Sequence, residues 1–230
     1  MVRRGFTLIE LLVVVSVIAL LLGLLLPVLG ASRDAAIDAR CQANLRSVHQ
    51  SLAVYANTYD QRVPIGYRSG RLQFNTNVFS GFASRFVLYG WLFQDGLLDA
   101  PEAFYCPAET SPDQSFDTPN NPWPPGTPGQ NVLTSYGLAP LAEIPDNPQD
   151  ADNRLPRLEF LGSQAILADS VGLPARVDSR HADGVFVLHA DSAVNFAQRE
   201  RFDTELSQIT SLDATFNPQQ QAIWDELNRR

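Results

Sequence analysis

The chain holds 230 residues with 25 acidic and 17 basic side chains, a formal charge of −8, and 45% apolar residues. Every base is Arg. A P-loop, a Lys nucleophile and a Schiff base are therefore excluded, and the acidic balance argues against a nucleic-acid partner, which needs a cationic face.

The apolar residues are concentrated at the N-terminus. From Leu11 to Leu29 no side chain is charged, and only Ser16, Gly23 and Pro27 interrupt the run. A bilayer core of roughly 30 Å needs about 20 helical residues, so this segment is long enough to span. Arg3 and Arg4 precede it and keep that end cytoplasmic, which sends the rest of the chain outside the inner membrane. Three readings fit: a plain signal anchor, a secretory signal peptide cut before Ala31, or a helix that is processed ahead of the apolar run and kept. Glu10 separates them. A carboxylate at the start of an apolar run is costly in lipid and marks a partner or a task.

The string Arg4-Gly5-Phe6-Thr7-Leu8-Ile9-Glu10, followed by the apolar run, resembles the processing site of type IV prepilins and type II secretion pseudopilins. The resemblance implies cleavage between Gly5 and Phe6 and N-methylation of Phe6. It makes residues 1–5 a leader peptide and residues 6–30 a retained transmembrane helix. It also implies the partners: prepilin peptidase, other pilin or pseudopilin subunits, the inner-membrane assembly platform and membrane lipid. Glu10 lies one helical turn after Phe6, and the free amine of a neighbouring copy's Phe6 would neutralise it. Removing one partner of such a buried pair costs about 3–5 kcal/mol, enough to set the axial register of a filament. Pro27 stands where this family often carries a helix-kinking proline.

Residues 31–60 continue as an amphipathic helix. Ile37, Cys41, Leu45, Val48, Leu52, Tyr55 and Tyr59 recur at spacings of three and four, and no Gly or Pro occurs between Ala31 and Asp60. The stripe must be covered, most simply by a sheet, with Tyr55 and Tyr59 in the core. His49, beside the stripe, has no second ligand at i+4 and reads as a solvated or capping residue.

Residues 61–230 read as a β-rich globular domain. Phe86–Leu98 favours a short helix over a strand, and Ala103–Cys106 reads as a strand stopped by Pro107. Residues 101–130 hold eight of the sixteen prolines, so 107–130 is an exposed, semi-rigid loop. Trp123 within it is either a contact residue or an anchor folded back on its own domain. Residues 141–157 carry Glu143, Asp146, Asn147, Asp150, Asp152 and Asn153. Such oxygen-rich loops can hold Ca²⁺, but no EF-hand pattern is present and a solvated loop is favoured. No other cofactor and no metal is expected. Gln164–Asp169 reads as a buried strand. The apolar runs either side of Asp191-Ser192 read as a β-hairpin.

The stretch from His181 to Ser192 resembles the His-x9-Asp-Gly motif of a large group of pseudopilin-like proteins abundant in planctomycetes and related bacteria. Cys41-Gln42-Ala43-Asn44-Leu45-Arg46, Phe104-Tyr105-Cys106-Pro107, Ser135-Tyr136-Gly137 and Ala168-Asp169 fit the same group. Ser192 departs from it by replacing the Gly, which leaves the turn type open. Asp169, His181, His189 and Asp191 could in principle form a hydrolytic or metal site. Without a HExxH, a GxSxG or a partnered nucleophile, a structural role is favoured, with His181 and Asp191 hydrogen-bonded across the ends of the hairpin.

Cys41 and Cys106 face an oxidising compartment. A bridge between them would fasten the helix to the domain, worth about 2–4 kcal/mol; the alternative is two buried thiols. Asn217-Pro218 opens a short surface helix in the tail.

The expected fold is α+β, pilin-like: a long N-terminal helix packed on an antiparallel sheet. The expected function is a non-enzymatic prepilin-like subunit in the bacterial inner membrane, single-pass, its C-terminal domain periplasmic, assembled into a pseudopilus or type IV pilus-like filament. A membrane-anchored binding module that does not polymerise, and a tethered hydrolase, are the competing classes.

Overall fold

The computed structural model describes residues 7–145, 154–181 and 183–229, and leaves the side chains of Leu25, Pro27, Val28 and Ala31 outside that description. Gly5 and Phe6 and the loop residues Asp146, Asn147, Asp150, Asp152 and Asn153 thus lie outside the described residues, whereas the backbone at Pro27, where a kink is expected, is helical. The chain divides into two units, residues 1–39 and 40–230.

Helix α1 spans Leu8–Thr58. It begins with a reciprocal cap at Thr7 and Glu10 and ends where Asp60 and Gln61 turn to positive φ, 53° and 62°. The Gln61 amide reaches back to the Ala56 carbonyl at 2.7 Å, the six-to-one bond of a Schellman-type C-terminus. From Leu8 to Leu29 the described apolar side chains of α1 are exposed, Leu8 at 81%. In the second unit the expected stripe is buried from Cys41 through Leu45, Val48 and Leu52 to Tyr55, each large aliphatic contributing about 1.5–3 kcal/mol. The stripe ends earlier than expected at both ends. Ile37 is only half-buried. Tyr59 is exposed and its hydroxyl donates to Asp95 at 2.9 Å, because the helix has run past the domain by that turn.

Among the described residues the second unit carries two antiparallel sheets. Strands β1 (Asn77–Ser80), β2 (Arg85–Phe86) and β3 (Val132–Leu133) form one, in the order β2-β1-β3; β4 (Tyr136–Leu138), β5 (Ala165–Asp169), β6 (Gly184–His189) and β7 (Val194–Gln198) form the other, in the order β4-β5-β6-β7. β5 and β6 are buried along their whole length, which explains why their apolar runs do not alternate. β6 and β7 form the expected hairpin, pairing Phe186 with Phe196. Its turn places Ser192 at φ 69°, so Ser takes up the left-handed conformation that Gly adopts at lower cost. Gly184, at the start of β6, is held by close approach: a Cβ there would stand 2.2 Å from the Ala197 carbonyl oxygen.

Helix α2 (Gly90–Gln94) lies within the apolar run read as helical. Pro101–Phe104 is a 3₁₀ turn, not a strand. Pro101 fixes a helical φ at its first position, and the extended Tyr105 and Cys106 that follow are bonded by side chains instead of a neighbouring strand. Asn44 Nδ2 donates to the Tyr105 carbonyl at 2.7 Å, and the Cys106 amide donates to Ser135 Oγ at 2.7 Å.

The Pro-rich loop is anchored to the domain. Trp123 packs on Phe93, Phe86 and Phe116, with centroids 5.0, 6.1 and 6.1 Å away. Asn121 is buried and stands in for a strand: its amide donates to Ser115 and Leu133 carbonyls and its Oδ1 accepts from the Leu133 amide.

Among the described residues three further α-helices follow: α3 (Pro174–Asp178), α4 (Asp203–Gln208) and α5 (Asn217–Leu227). α5 starts at the expected Asn217-Pro218 but is not a surface helix. Gln220, Ile223, Trp224 and Leu227 are buried, and Asn228 Oδ1 accepts from the Ala165 amide at 2.7 Å. Its apolar residues at i, i+1 and i+4 close the core beside β5.

Candidate functional site

The N-terminal segment is built around Thr7 and Glu10. Glu10 Oε2 accepts from the Thr7 amide at 2.9 Å and from the Thr7 hydroxyl at 2.6 Å, while the Glu10 amide donates to Thr7 Oγ1 at 3.3 Å. This is a capping box: the side chain at the helix start and the carboxylate three residues on satisfy each other's backbone donors. The Thr-x-x-Glu spacing was present in the sequence and gives Glu10 a local task besides intersubunit pairing. Both contacts use Oε2. One turn further on, Ser16 Oγ donates to the Leu12 carbonyl at 2.6 Å, which satisfies the hydroxyl inside the apolar run. Among the described residues no helix is long and apolar enough to cross a membrane.

The second candidate region is the Cys, His and Asp cluster. Cys41 and Cys106 form a disulfide that joins α1 to the segment after the 3₁₀ turn across a separation of 65 residues, with Cα atoms 4.9 Å apart. Both are buried. His181 Nε2 lies 3.3 Å from Cys106 Sγ, and its ring stands edge-on to Phe186 at 5.0 Å. The two sulfurs and a His181 nitrogen lie within 4.8 Å of one another, a spacing that suits a metal. The sulfurs are bonded to each other, however, and a disulfide offers no thiolate ligand.

Asp169 closes the same end of the sheet. It is buried, Oδ2 accepts from the Phe186 amide at 2.8 Å, and Oδ1 has no partner among the described residues. Burial pushes its carboxyl above the ordinary range, against the pull of Arg180 and His181. Beside it, Arg180 pairs with Glu109 at 2.7 Å, both side chains 1% exposed. Arg180 also donates to the Ser135 and Ser170 carbonyls, each at 2.7 Å. Glu109 accepts in addition from the Ser111 amide and the Ser179 hydroxyl. One guanidinium therefore ties together the entry to β4, the exit of β5 and the Pro-rich loop. Sequence reasoning missed this pair, since neither residue has a motif or spacing that marks it.

The four residues weighed as a catalytic set are not one site. β6 separates His181 from His189 and Asp191, and its six residues at about 3.3 Å each span close to 20 Å. A hydrogen bond from His181 to Asp191 across the hairpin is ruled out by that length. His181 serves the disulfide end. Asp191 serves the turn, where Oδ1 accepts from the Ala193 amide at 3.2 Å. His189 is buried and its Nδ1–H donates to the Ser163 carbonyl at 2.9 Å. His49, read as solvated or capping, bonds instead to the Ala190 carbonyl. Glu143 Oε1 accepts from the Gly70 amide at 2.8 Å, so this loop acid is engaged in a turn.

The prokaryotic N-terminal methylation motif matches residues 1–26. Neither the curated proteins nor the solved structures gave a match. The long N-terminal helix and antiparallel sheets are consistent with a pilin-like α+β fold. The motif implies processing by prepilin peptidase and assembly with other pilins, and it points to a structural subunit rather than an enzyme. Motif and fold together support a prepilin-type protein.

Proposed function

We propose that this chain is a prepilin-like subunit, cut between Gly5 and Phe6, methylated on the new Phe6 amine, and assembled through its N-terminal helix into a type II secretion pseudopilus or a type IV pilus-like filament. Before assembly it is a single-pass protein of the inner membrane, with the domain after the helix in the periplasm. The observation that carries the reading is the string Arg4–Glu10 set directly against an uncharged run to Leu29, inside the segment that matches the methylation motif. A cut ahead of the run, not after it, leaves a protein whose apolar helix must be covered by lipid or by other copies.

The capping box supports a division of labour at Glu10. Oε2 holds the first turn of the helix through Thr7, and the carboxylate's remaining lone pairs are available to the Phe6 amine of a neighbouring copy. A carboxylate can accept from both sources at once. The Cys41–Cys106 disulfide fastens the second half of α1 to the domain it packs on.

The test is Glu10→Ala beside Thr7→Val. Glu10→Ala should abolish filament assembly while leader removal and membrane insertion continue. Thr7→Val should retain assembly at reduced helix-start stability, since it leaves the carboxylate in place. Normal assembly of Glu10→Ala would overturn the role given to Glu10.

A further inference from the structure

Cys41, Cys106 and His181 come to one point from three parts of the chain: helix α1, the extended segment after the 3₁₀ turn, and the link between α3 and β6. Their ligand atoms, two sulfurs and one ring nitrogen, lie within 4.8 Å of one another. His181 Nε2 stands 3.3 Å from Cys106 Sγ. A tetrahedral Zn²⁺, with Zn–S about 2.3 Å and Zn–N about 2.0 Å, sets a sulfur and a nitrogen ligand about 3.5 Å apart. The His181–Cys106 spacing is therefore already close to that of two ligands on one ion. Each of these two residues is held from behind. The Cys106 amide donates to Ser135 Oγ at 2.7 Å. The His181 carbonyl accepts from the Gly184 amide at 2.9 Å, and its ring packs edge-on to Phe186. Cys41 belongs to the buried stripe of α1 and is 0% exposed; Cys106 is 2% exposed.

We propose that before the disulfide forms, Cys41, Cys106 and His181 bind one Zn²⁺, and that oxidation exchanges this metal link for the covalent one. The two thiols give up two protons and bind as thiolates, His181 Nε2 binds through its lone pair, and the fourth position falls to water. Without the bond between them the sulfurs part by rotation about their Cα–Cβ bonds. Zn²⁺ with two thiolates and a neutral imidazole carries no net charge, which suits a buried place where a bare cation or a lone thiolate is costly. Zn²⁺ has no redox chemistry of its own, so the thiolates persist until an external disulfide arrives. That disulfide takes two electrons from the thiolates and two protons from solvent and leaves as two thiols. The Cys41–Cys106 bond forms, and Zn²⁺ departs because a disulfide offers no thiolate. The ligands lie 65 and 75 residues apart in sequence, so the site exists only in the folded chain and metal binding favours folding. Helix α1 is thus fastened to the domain at the same point before and after oxidation, whether or not the chain assembles into a filament.

The experiment uses the purified, untagged full chain in detergent, reduced by a phosphine, which takes up one oxygen from water and leaves both thiols. Co²⁺, which occupies zinc sites and absorbs visible light, is titrated under nitrogen and then displaced with Zn²⁺. The reduced chain should bind one Co²⁺ with tetrahedral d–d bands and a thiolate charge-transfer band, and the oxidised chain should show neither. His181→Asn should weaken the binding at least ten-fold, while the oxidised variant keeps its circular dichroism and its disulfide. His181→Gln repeats the comparison should the Asn variant not fold. Where the metal-free reduced chain has lost its native circular dichroism, Zn²⁺ should restore it. Four results would overturn the proposal: no thiolate band in the reduced chain, undiminished affinity in a folded His181 variant, a reduced chain that Zn²⁺ leaves unfolded, or equal Co²⁺ binding by the oxidised chain, which would place the ion elsewhere.

Discussion

His49 Nε2 donates to the Ala190 carbonyl at 2.9 Å, a contact between the second half of α1 and the turn of the β6–β7 hairpin. A carbonyl oxygen only accepts, so the ring nitrogen there carries the proton. With the disulfide two helical turns earlier, this bond fastens the helix to the domain at two points. His49→Leu should cost about 1 kcal/mol, the usual net value of one such bond, read as a drop in denaturation midpoint at unchanged slope.

The covalent fastening is worth more. Reducing the Cys41–Cys106 disulfide, or replacing both cysteines with Ala, should lower stability by about 2–4 kcal/mol, since the bond closes a long loop of the unfolded chain. Denaturant unfolding with and without a thiol reductant measures it. The double Ala variant should lose the reductant dependence.

Arg180 and Glu109 form a buried pair that the fold depends on. Glu109→Gln or Arg180→Met alone should cost about 3–5 kcal/mol, because each leaves the other charge buried without its partner. Arg180→Met combined with Glu109→Gln should cost clearly less than the sum of the two single changes. Additive losses would show that the pair is not coupled.

Asp169 gives the domain a pH signature. Burial raises its folded-state value above the ordinary 3.8. The folded chain thus holds this proton to higher pH than the unfolded chain does. Stability from this group is full below 3.8 and is lost as pH rises through the raised folded value. Asp169→Asn removes the titration, so the stability of the variant relative to the native protein should increase across that window. Unfolding curves at a series of pH values test it; a difference independent of pH would contradict it.

Much of this was legible in residue order, and what was not has physical causes. The second half of α1 could be read because its expected stripe, Ile37 to Tyr59, repeats over about six turns with no Gly or Pro to break it. The β6–β7 hairpin could be read because two apolar runs flank Asp191-Ser192. The small sheet could not: β2 and β3 are two residues each, too short for any period, and the buried side chain of Asn121 takes the place of a strand edge. Ala103–Cys106 looks extended in composition, but Pro101 one turn earlier sets the local backbone. The N-terminal processing string lay open in the sequence. The cap that Thr7 places on Glu10 was equally visible as Thr-x-x-Glu and was masked by the stronger claim of the carboxylate in an apolar run.

The turn residue offers a separate check. Ser192 at φ 69° sits where L side chains meet their own backbone, and Ser192→Gly should stabilise the domain by about 0.5–1 kcal/mol, read as a higher thermal midpoint. Gly184→Ala should do the opposite, because the added methyl meets the Ala197 carbonyl.

Everything proposed for the filament depends on where the mature chain begins. Mass spectrometry of the N-terminal peptide from the native membrane protein measures that directly. The account predicts a peptide starting at Phe6 and carrying one methyl group on its amine. A chain that still starts at Met1, or one that starts at Ala31, would contradict it.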